Sequence, residues 1–261
     1  MIVAGAQLDI VWERPEENFR RASDLVVEAV AAGARLIALP EMFATGYSLA
    51  SPAIADHGES IRSFLSVTAR RHGVWLVGGY AERCDPMPLN CCSMMTPDGS
   101  EVLRYSKIHP FSLAGEQAVF GAGEDIYTAE VEGVRVTPLI CYDLRFPELF
   151  RIAAHATDLF VVVANWPERR SHAWRILLAA RAIDCLAWVL GVNRAGDAQG
   201  VHHRGDSALF DPMGEVVTSR AEQPGVVVGE VSVERVREVR EKLGFLADRR
   251  PEVYAALERG R

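Results

Sequence analysis

Eight short apolar, β-branched runs recur along the chain: MIVAGAQL (1–8), RLIALP (35–40), VWLVGGY (74–80), NCCSMM (90–95), VRVTPLIC (134–141), DLFVVVAN (158–165), LAWVLGVN (186–193) and GVVVGEV (225–231). Most are bounded by Gly, Pro, Asn or Asp, the pattern of strands buried on both faces. Helical periodicity fills several of the intervals. From Glu17 to Ala32 the residues Phe19, Ala22, Val26 and Ala29 form one apolar stripe, and Ile176, Ala180, Ile183 and Ala187 form another. Two further segments, TPDGSEVLRYSK (96–107) and FDPMGEVVTS (210–219), join a Pro and Gly turn to a following strand and read as hairpins. Strands alternating with helices, plus hairpins, imply a layered α/β domain with helices packed outside the sheets.

The chain has 261 residues, 49% of them apolar, enough for one large domain with a substantial core. No linker-like tract, low-complexity segment or solenoid repeat divides it. Formal net charge is −7 with the acidic residues scattered, which argues against nucleic acid or an anionic membrane as partner. The first residues lack a basic region before their apolar stretch, and no run is long enough to span a membrane, so a soluble cytoplasmic protein is expected. Five cysteines at irregular spacings read as reduced thiols. Cys91, Cys92, His202 and His203 form two adjacent pairs, but neighbours on a strand point to opposite faces and rarely converge on one ion, so no metal is expected.

Four stretches set a reactive or charged group at the end of a strand-like run: LIALPEMFATGYS with Glu41, VLRYSKIHPF with Lys107, AGEQAVFGAG with Glu116 and LICYDLRFPE with Cys141. Strand ends opening onto loops are where α/β folds gather their active sites. A helix starting at about Pro147 would make the Cys141 region a strand, tight turn and helix, projecting the thiol from the top of the sheet. Cys141 is then either a buried structural cysteine or a nucleophile. A nucleophilic thiol needs a base and a nearby cation; Glu41 could be the first and Lys107 the second, although a strand-end Glu or a lone Lys, taken singly, is more often a surface charge.

LPEMFATGYS, YSKIHPF, AGEQAVFGAG, LICYDLRFPELFR and VVVANWPERRSHAWRILLAARAID, taken in that order, closely resemble the nitrilase superfamily of carbon–nitrogen hydrolases. The similarity runs from the first strand to EVREKLGFLADRR, nearly the whole chain. The resemblance implies a four-layer αββα sandwich, usually paired into homodimers or larger assemblies, formed by one domain over residues 1–261. The segment from about 233 to 261 is then an extension used in packing or oligomerisation. It also implies that Glu41 is the general base, Lys107 the cation that stabilises the intermediate and Cys141 the nucleophile. Glu116 stands beside the lysine, and the backbone N–H of Tyr142 helps Lys107 receive the oxyanion. No metal or organic cofactor is implied.

Within the superfamily, MFATGYS, CYDLRFPE, ANWPERRSHAW and HHRGDS look most like the ω-amidase branch, whose substrates are small linear carboxylate monoamides such as 2-oxoglutaramate and 2-oxosuccinamate. Such a substrate needs a cationic or donating partner for its far carboxylate. Arg145 is the first candidate, with Tyr47, Asn165 and Trp166 completing the wall; the alternative for Arg145 is an ion pair with Glu148 or Asp143. His202, His203 and Arg204 read as a loop. The branch acting on deaminated glutathione shares CYDLRFPE and is the nearest rival. A serine elbow at Ser48 in GYSLA would not stand at a strand-to-helix turn, and a papain-like pairing of Cys141 with His109 or His172 lacks a local signature. A non-catalytic binding module of the same fold is the remaining alternative.

Overall fold

The computed structural model describes residues 1–260, and all eight apolar runs are strands in it. The first half of the chain runs β1 (Ile2–Gln7), α1 (Pro15–Ala31), β2 (Leu36–Ala38), α2 (Ser51–Ala55), α3 (Gly58–His72), β3 (Trp75–Glu82), β4 (Leu89–Met95), β5 (Glu101–Ser106) and β6 (Ala129–Val131). It continues as β7 (Val134–Ile140), α4 (Pro147–Ala153), β8 (Leu159–Ala164), α5 (Ser171–Cys185), β9 (Trp188–Asn193), β10 (Ala195–Ala198), β11 (Val201–Phe210), β12 (Val216–Ala221), β13 (Gly225–Glu230), α6 (Val233–Leu243) and α7 (Pro251–Glu258).

One sheet has the order β13-β1-β2-β3-β4-β5, parallel at its centre (β1, β2, β3) and antiparallel at both flanks. The other runs β10-β11-β9-β8-β7-β6 with β12 on β11, and β7, β8 and β9 are its parallel centre. Alternation along β1 divides the interior. Val3 faces the core shared with Leu139, Val161 and Val192 of the second sheet, while Ala4 and Ala6 face Ala22, Val26 and Ala29 of α1 and Ile61 and Leu65 of α3. With α5 lying on β9 and β11 on the far side, the layers read α, β, β, α. This is the four-layer sandwich the sequence resemblance implied.

In α1, Ala22, Val26 and Ala29 are buried and half-buried Phe19 stacks on Phe64 at 4.4 Å. The stripe expected on α5 is not the buried one. Ile176 and Ile183 are 52% and 47% exposed, Ala187 lies beyond the helix end, and Trp174, Leu178, Arg181, Ala182 and Cys185 face inward. The cause lies in β9: a side chain on Gly191 would collide with Leu178 and Trp174, so that bare strand position receives the helix on its bulkier side. α6 docks through Val236, Val239 and Arg240, whose guanidinium donates to the Leu186, Ala154 and Thr157 carbonyls at 3.1, 2.9 and 2.7 Å and so satisfies groups around the ends of α4 and α5. α7 buries no residue. Among the described residues no helix is long and apolar enough to cross a membrane.

Candidate active site

Five polar side chains meet because five strands end at the same edge of the sandwich. Glu41 follows β2, Lys107 follows β5, Cys141 follows β7, Asn165 follows β8 and Asn90 lies near the start of antiparallel β4. The carboxyl ends of parallel strands are where such folds open a crevice. β3 passes directly beneath the Glu41 loop: an ideal Cβ on Gly79 would lie 2.7 Å from the Glu41 Cα, so only glycine fits there.

Cys141 opens a tight 3-10 turn, Cys141–Arg145, with its own φ at +46°, a left-handed conformation that side chains rarely adopt. Such a residue costs about 1–3 kcal/mol and persists where its surroundings hold it. Here the holder is Asp143, fully buried. Its Oδ2 accepts from the Ile140 N–H at 3.2 Å and the Tyr105 hydroxyl at 2.7 Å, while Oδ1 accepts from the His109 N–H at 3.0 Å. The carboxylate thus ties the cysteine turn to the segment that follows Lys107. Helix α4 begins at Pro147, so the strand, turn and helix read from the sequence are all present.

Lys107 sits between two carboxylates with no solvent exposure. Its Nζ donates to Glu41 Oε1 at 2.9 Å and to Glu116 Oε2 at 2.9 Å. Asn90 bridges the same pair, its Nδ2 donating to Glu41 Oε1 at 2.8 Å and to Glu116 Oε1 at 2.9 Å. Glu116 also accepts from the Tyr47 hydroxyl at 3.0 Å and from the Phe111 N–H, so both its oxygens are saturated. Glu41 is different. Among the described residues its Oε2 accepts only from the Asn165 N–H, at 2.9 Å, which leaves a lone pair free, while the Asn165 side-chain amide holds the Glu41 carbonyl. Of the two carboxylates, Glu41 is therefore the one with an oxygen able to take a proton.

The electrostatics follow from this packing. Burial works against the Lys107 charge, but Glu41 and Glu116 outweigh it and hold the ammonium well above the usual lysine range. Burial likewise pushes against the Glu116 charge, and Lys107, Asn90 and the Phe111 N–H overcome it, leaving that carboxyl below its ordinary value. The Cys141 thiol is pushed well up by burial and by Glu41, more than Lys107 and the Asn165 N–H draw it down. The resting site therefore holds a neutral thiol, and thiolate forms only as a base removes its proton.

Cys141 and Lys107 line a pocket of about 230 Å³. Tyr47, Arg145, Asn165 and Trp166 are on its wall, together with Trp12, Phe111, Tyr142, Arg169, Arg170, Arg194 and His203. Four arginines and no carboxylate appear on that wall, an environment for an anionic ligand. Arg145 makes neither of the ion pairs considered for it: its guanidinium carbon lies 4.8 Å over the Trp166 ring, and Asp143 is occupied by Tyr105 and His109. Outside the pocket wall, Ser48 is buried and donates to Glu13 at 2.6 Å, His109 bonds Asp143 and stacks on Phe146, and His172 is exposed. Neither the serine elbow nor a Cys–His pair has its partners in place.

His202, His203 and Arg204 do not form a loop; they lie in β11, paired with β10. The polar run hid a strand, which the pairing with β10 makes plain. His203 is only 7% exposed, and burial together with the charge of Arg194 depresses its imidazole to about 4, from an ordinary 6.5. Its Nδ1 meets the Val201 carbonyl at 3.2 Å, which places the proton on that nitrogen. Below pH 6.5 the ring takes up a proton once unfolding exposes it, which favours the unfolded state. Stability is thus expected to fall as pH drops from 6.5 to 4, by roughly 3 kcal/mol from this residue. Denaturant titrations of the wild type and His203→Asn at both pH values measure it, with the drop shrinking in the variant. Asn90, Arg170 and Arg194 escaped the sequence reading and His203 was placed in a loop, though Arg194, one residue past the LAWVLGVN run, obeys the strand-end rule that singled out Glu41 and Cys141.

Comparison with known proteins gives a consistent picture. Residues 2–241 match the family model described as carbon-nitrogen hydrolase. A 2-oxoglutaramate amidase of Bacillus subtilis (strain 168) is 34% identical, covering 95% of this chain and 97% of its own, and the omega-amidase YafV of Escherichia coli (strain K12) is 36% identical, covering 90% and 91%. Among solved structures, the CN-hydrolase superfamily protein XC1258 from Xanthomonas campestris, with an arsenic adduct in its active site, has a TM-score of 0.90 at 32% identity, covering 96% and 97% of the two chains. A mutant of the amidase from Nesterenkonia sp. AN1, with a TM-score of 0.83 at 25% identity over 94% and 98%, shows the result of Michael addition of acrylamide at the active site cysteine.

Proposed function

Because this chain belongs to the carbon–nitrogen hydrolase family, the nitrilase superfamily, we propose that it cleaves the terminal amide of a small linear carboxylate monoamide. The substrate is of the 2-oxoglutaramate or 2-oxosuccinamate type, and the products are the acid and ammonia. One observation carries the reading: Cys141 and Lys107 line a pocket that also carries unpaired arginines, with Glu41 held directly behind them.

In the cycle, Cys141 attacks the amide carbonyl as Glu41 Oε2 accepts the thiol proton. The oxyanion forms against the Lys107 ammonium and the Tyr142 N–H, which lies in the first turn after the nucleophile, where backbone donors have no intrahelical acceptor. Glu41 passes the proton to the nitrogen, ammonia leaves and a thioester remains. Water then attacks the thioester carbonyl, losing a proton to Glu41. The second tetrahedral intermediate expels the thiolate, and Glu41 returns the proton to sulfur. Glu116, saturated by donors, fixes Lys107 and takes no proton itself.

Arg145 receives the substrate's far carboxylate, with Trp166 holding the guanidinium flat and Tyr47 and Asn165 walling the acyl chain. Ammonia release from 2-oxoglutaramate, 2-oxosuccinamate, succinamate, glutamine, deaminated glutathione and a simple nitrile tests this. The short monoamides should turn over, and Arg145→Gln should raise their KM about 10- to 100-fold, the scale of one charged hydrogen bond. Turnover of deaminated glutathione alone would move the enzyme to the neighbouring branch, and turnover of none would remove the substrate assignment. The chain is further read as one domain over residues 1–261, working in the cytoplasm, where its five free cysteines stay reduced. The exposed Ile176 and Ile183 and the 233–261 segment are available for pairing into a homodimer.

A further inference from the structure

Two arginines of the pocket are held so that their hydrogen-bonding edges stay free. The Arg145 guanidinium carbon lies 4.8 Å over the Trp166 ring, and that of Arg170 lies 5.1 Å over the Phe111 ring. Among the described residues neither guanidinium donates a hydrogen bond, and neither has a carboxylate within 4.0 Å. The more deeply buried arginines all donate to backbone carbonyls, Arg181 to Leu144, Arg194 through Nη2 to Ile10, and Arg240 to Leu186 and Thr157, although Arg194 Nη1 has no partner among the described residues. Aromatic stacking without a polar partner fixes the plane of a guanidinium and leaves its fork open for a ligand.

One fork satisfies one carboxylate bidentately. The proposed function assigns the far carboxylate to Arg145, which leaves Arg170 without a task. We propose that Arg170 is a specificity-determining residue that receives a second oxygen acceptor of the substrate, so that the pocket selects amides carrying two acceptor groups over those carrying one. The inference rests on the proposed function and deepens it. Burial and the adjacent Arg169 press against the Arg170 charge, and Arg145 adds to the repulsion, so an electron-rich oxygen placed there relieves a strain already present. The second acceptor can come from a keto oxygen beside the far carboxylate, or from a second carboxylate on the amine side of the scissile bond.

Steady-state kinetics of the wild type, Arg170→Gln and Arg170→Lys on three amides test the proposal. Glutaramate offers one carboxylate, 2-oxoglutaramate adds the keto oxygen, and deaminated glutathione keeps that keto oxygen and adds a carboxylate beyond the scissile amide. Arg170→Gln is expected to lower kcat/KM about 10- to 100-fold for a two-acceptor substrate, mainly through KM, with a much smaller change for glutaramate. Arg170→Lys, which keeps the charge and loses the fork, should recover part of the loss, and thermal melting of both variants checks that they fold. Loss on 2-oxoglutaramate and deaminated glutathione alike, with glutaramate spared, identifies the keto oxygen, and loss confined to deaminated glutathione identifies the second carboxylate. Equal loss on all three, or none, overturns the role of Arg170 while leaving the proposed function standing. A wild type inactive on all three overturns the proposed function, and this inference with it.

Discussion

Cys141→Ala is expected to reduce amide turnover by at least about 10⁴-fold while leaving the fold intact. The size follows from the site's construction. Both halves of the proposed cycle depend on the Cys141 sulfur, which forms the thioester and is then the group expelled when water cleaves it, and no other thiol can replace it. Cys91, Cys92 and Cys185 are buried, with burial pushing the thiols of Cys91 and Cys185 up to about 12, and exposed Cys84 lies off the pocket wall. Cys141→Ser should be nearly as damaged, because a hydroxyl gives up its proton to a carboxylate far less readily than a thiol does. Ammonia release by each purified variant measures the loss, with circular dichroism to show that secondary structure is retained. A fall of less than about tenfold would remove Cys141 from the chemistry.

The second large effect is expected from Lys107→Met. The lysine neutralises Glu41 and Glu116 in a space closed to water, and its removal leaves two carboxylates sharing the Asn90 amide with no cation between them. Breaking a buried ion pair from one side costs about 3–5 kcal/mol, and losing one oxyanion donor costs about 10²–10³ in kcat. The pH response gives the change a signature. In the wild type the Glu116 carboxyl is depressed, so its contribution to stability is present above the ordinary glutamate range and is lost as pH falls through the folded value. In the variant the depressing cation is gone and burial raises that carboxyl, so acidification should relieve part of the cost. Denaturant titrations of both proteins from pH 7 to pH 5 should therefore show the stability gap narrowing with acid. A gap that is constant or widens would mean that Lys107 contributes packing and not charge.

Much of this architecture could be read from the sequence because its strongest signals are local. Strands buried on both faces appear as apolar runs whatever their partners, and Pro147 marks a helix start without reference to the rest of the fold. Glu41, Lys107 and Cys141 stood out because each ends a strand-like run, and their roles came from the resemblance of the motifs around them. What was misread depends on contacts across the chain. The inward face of α5 is set by Gly191 on β9, and the strand character of Val201–Phe210 comes from pairing with β10, β9 and β12, not from alternating hydrophobicity. Asn90 carries no sequence signal of its role: it lies near the start of an apolar strand and gains its importance only when Glu41 and Glu116, 49 and 26 residues away, arrive on either side. The free forks of Arg145 and Arg170 are likewise a property of which aromatic ring lies beneath each.

The most direct test of the account is the mass of the protein caught during turnover. Acid-quenching the wild type within the first turnovers on 2-oxoglutaramate, followed by intact and peptide mass spectrometry, should reveal an added acyl group equal to the substrate less ammonia, confined to the peptide that carries Cys141 and released by hydroxylamine as a thioester would be. Ammonia produced from an enzyme whose Cys141 peptide stays unmodified at every quench time, or an acyl group found on another residue, would contradict the nucleophile on which the mechanism rests.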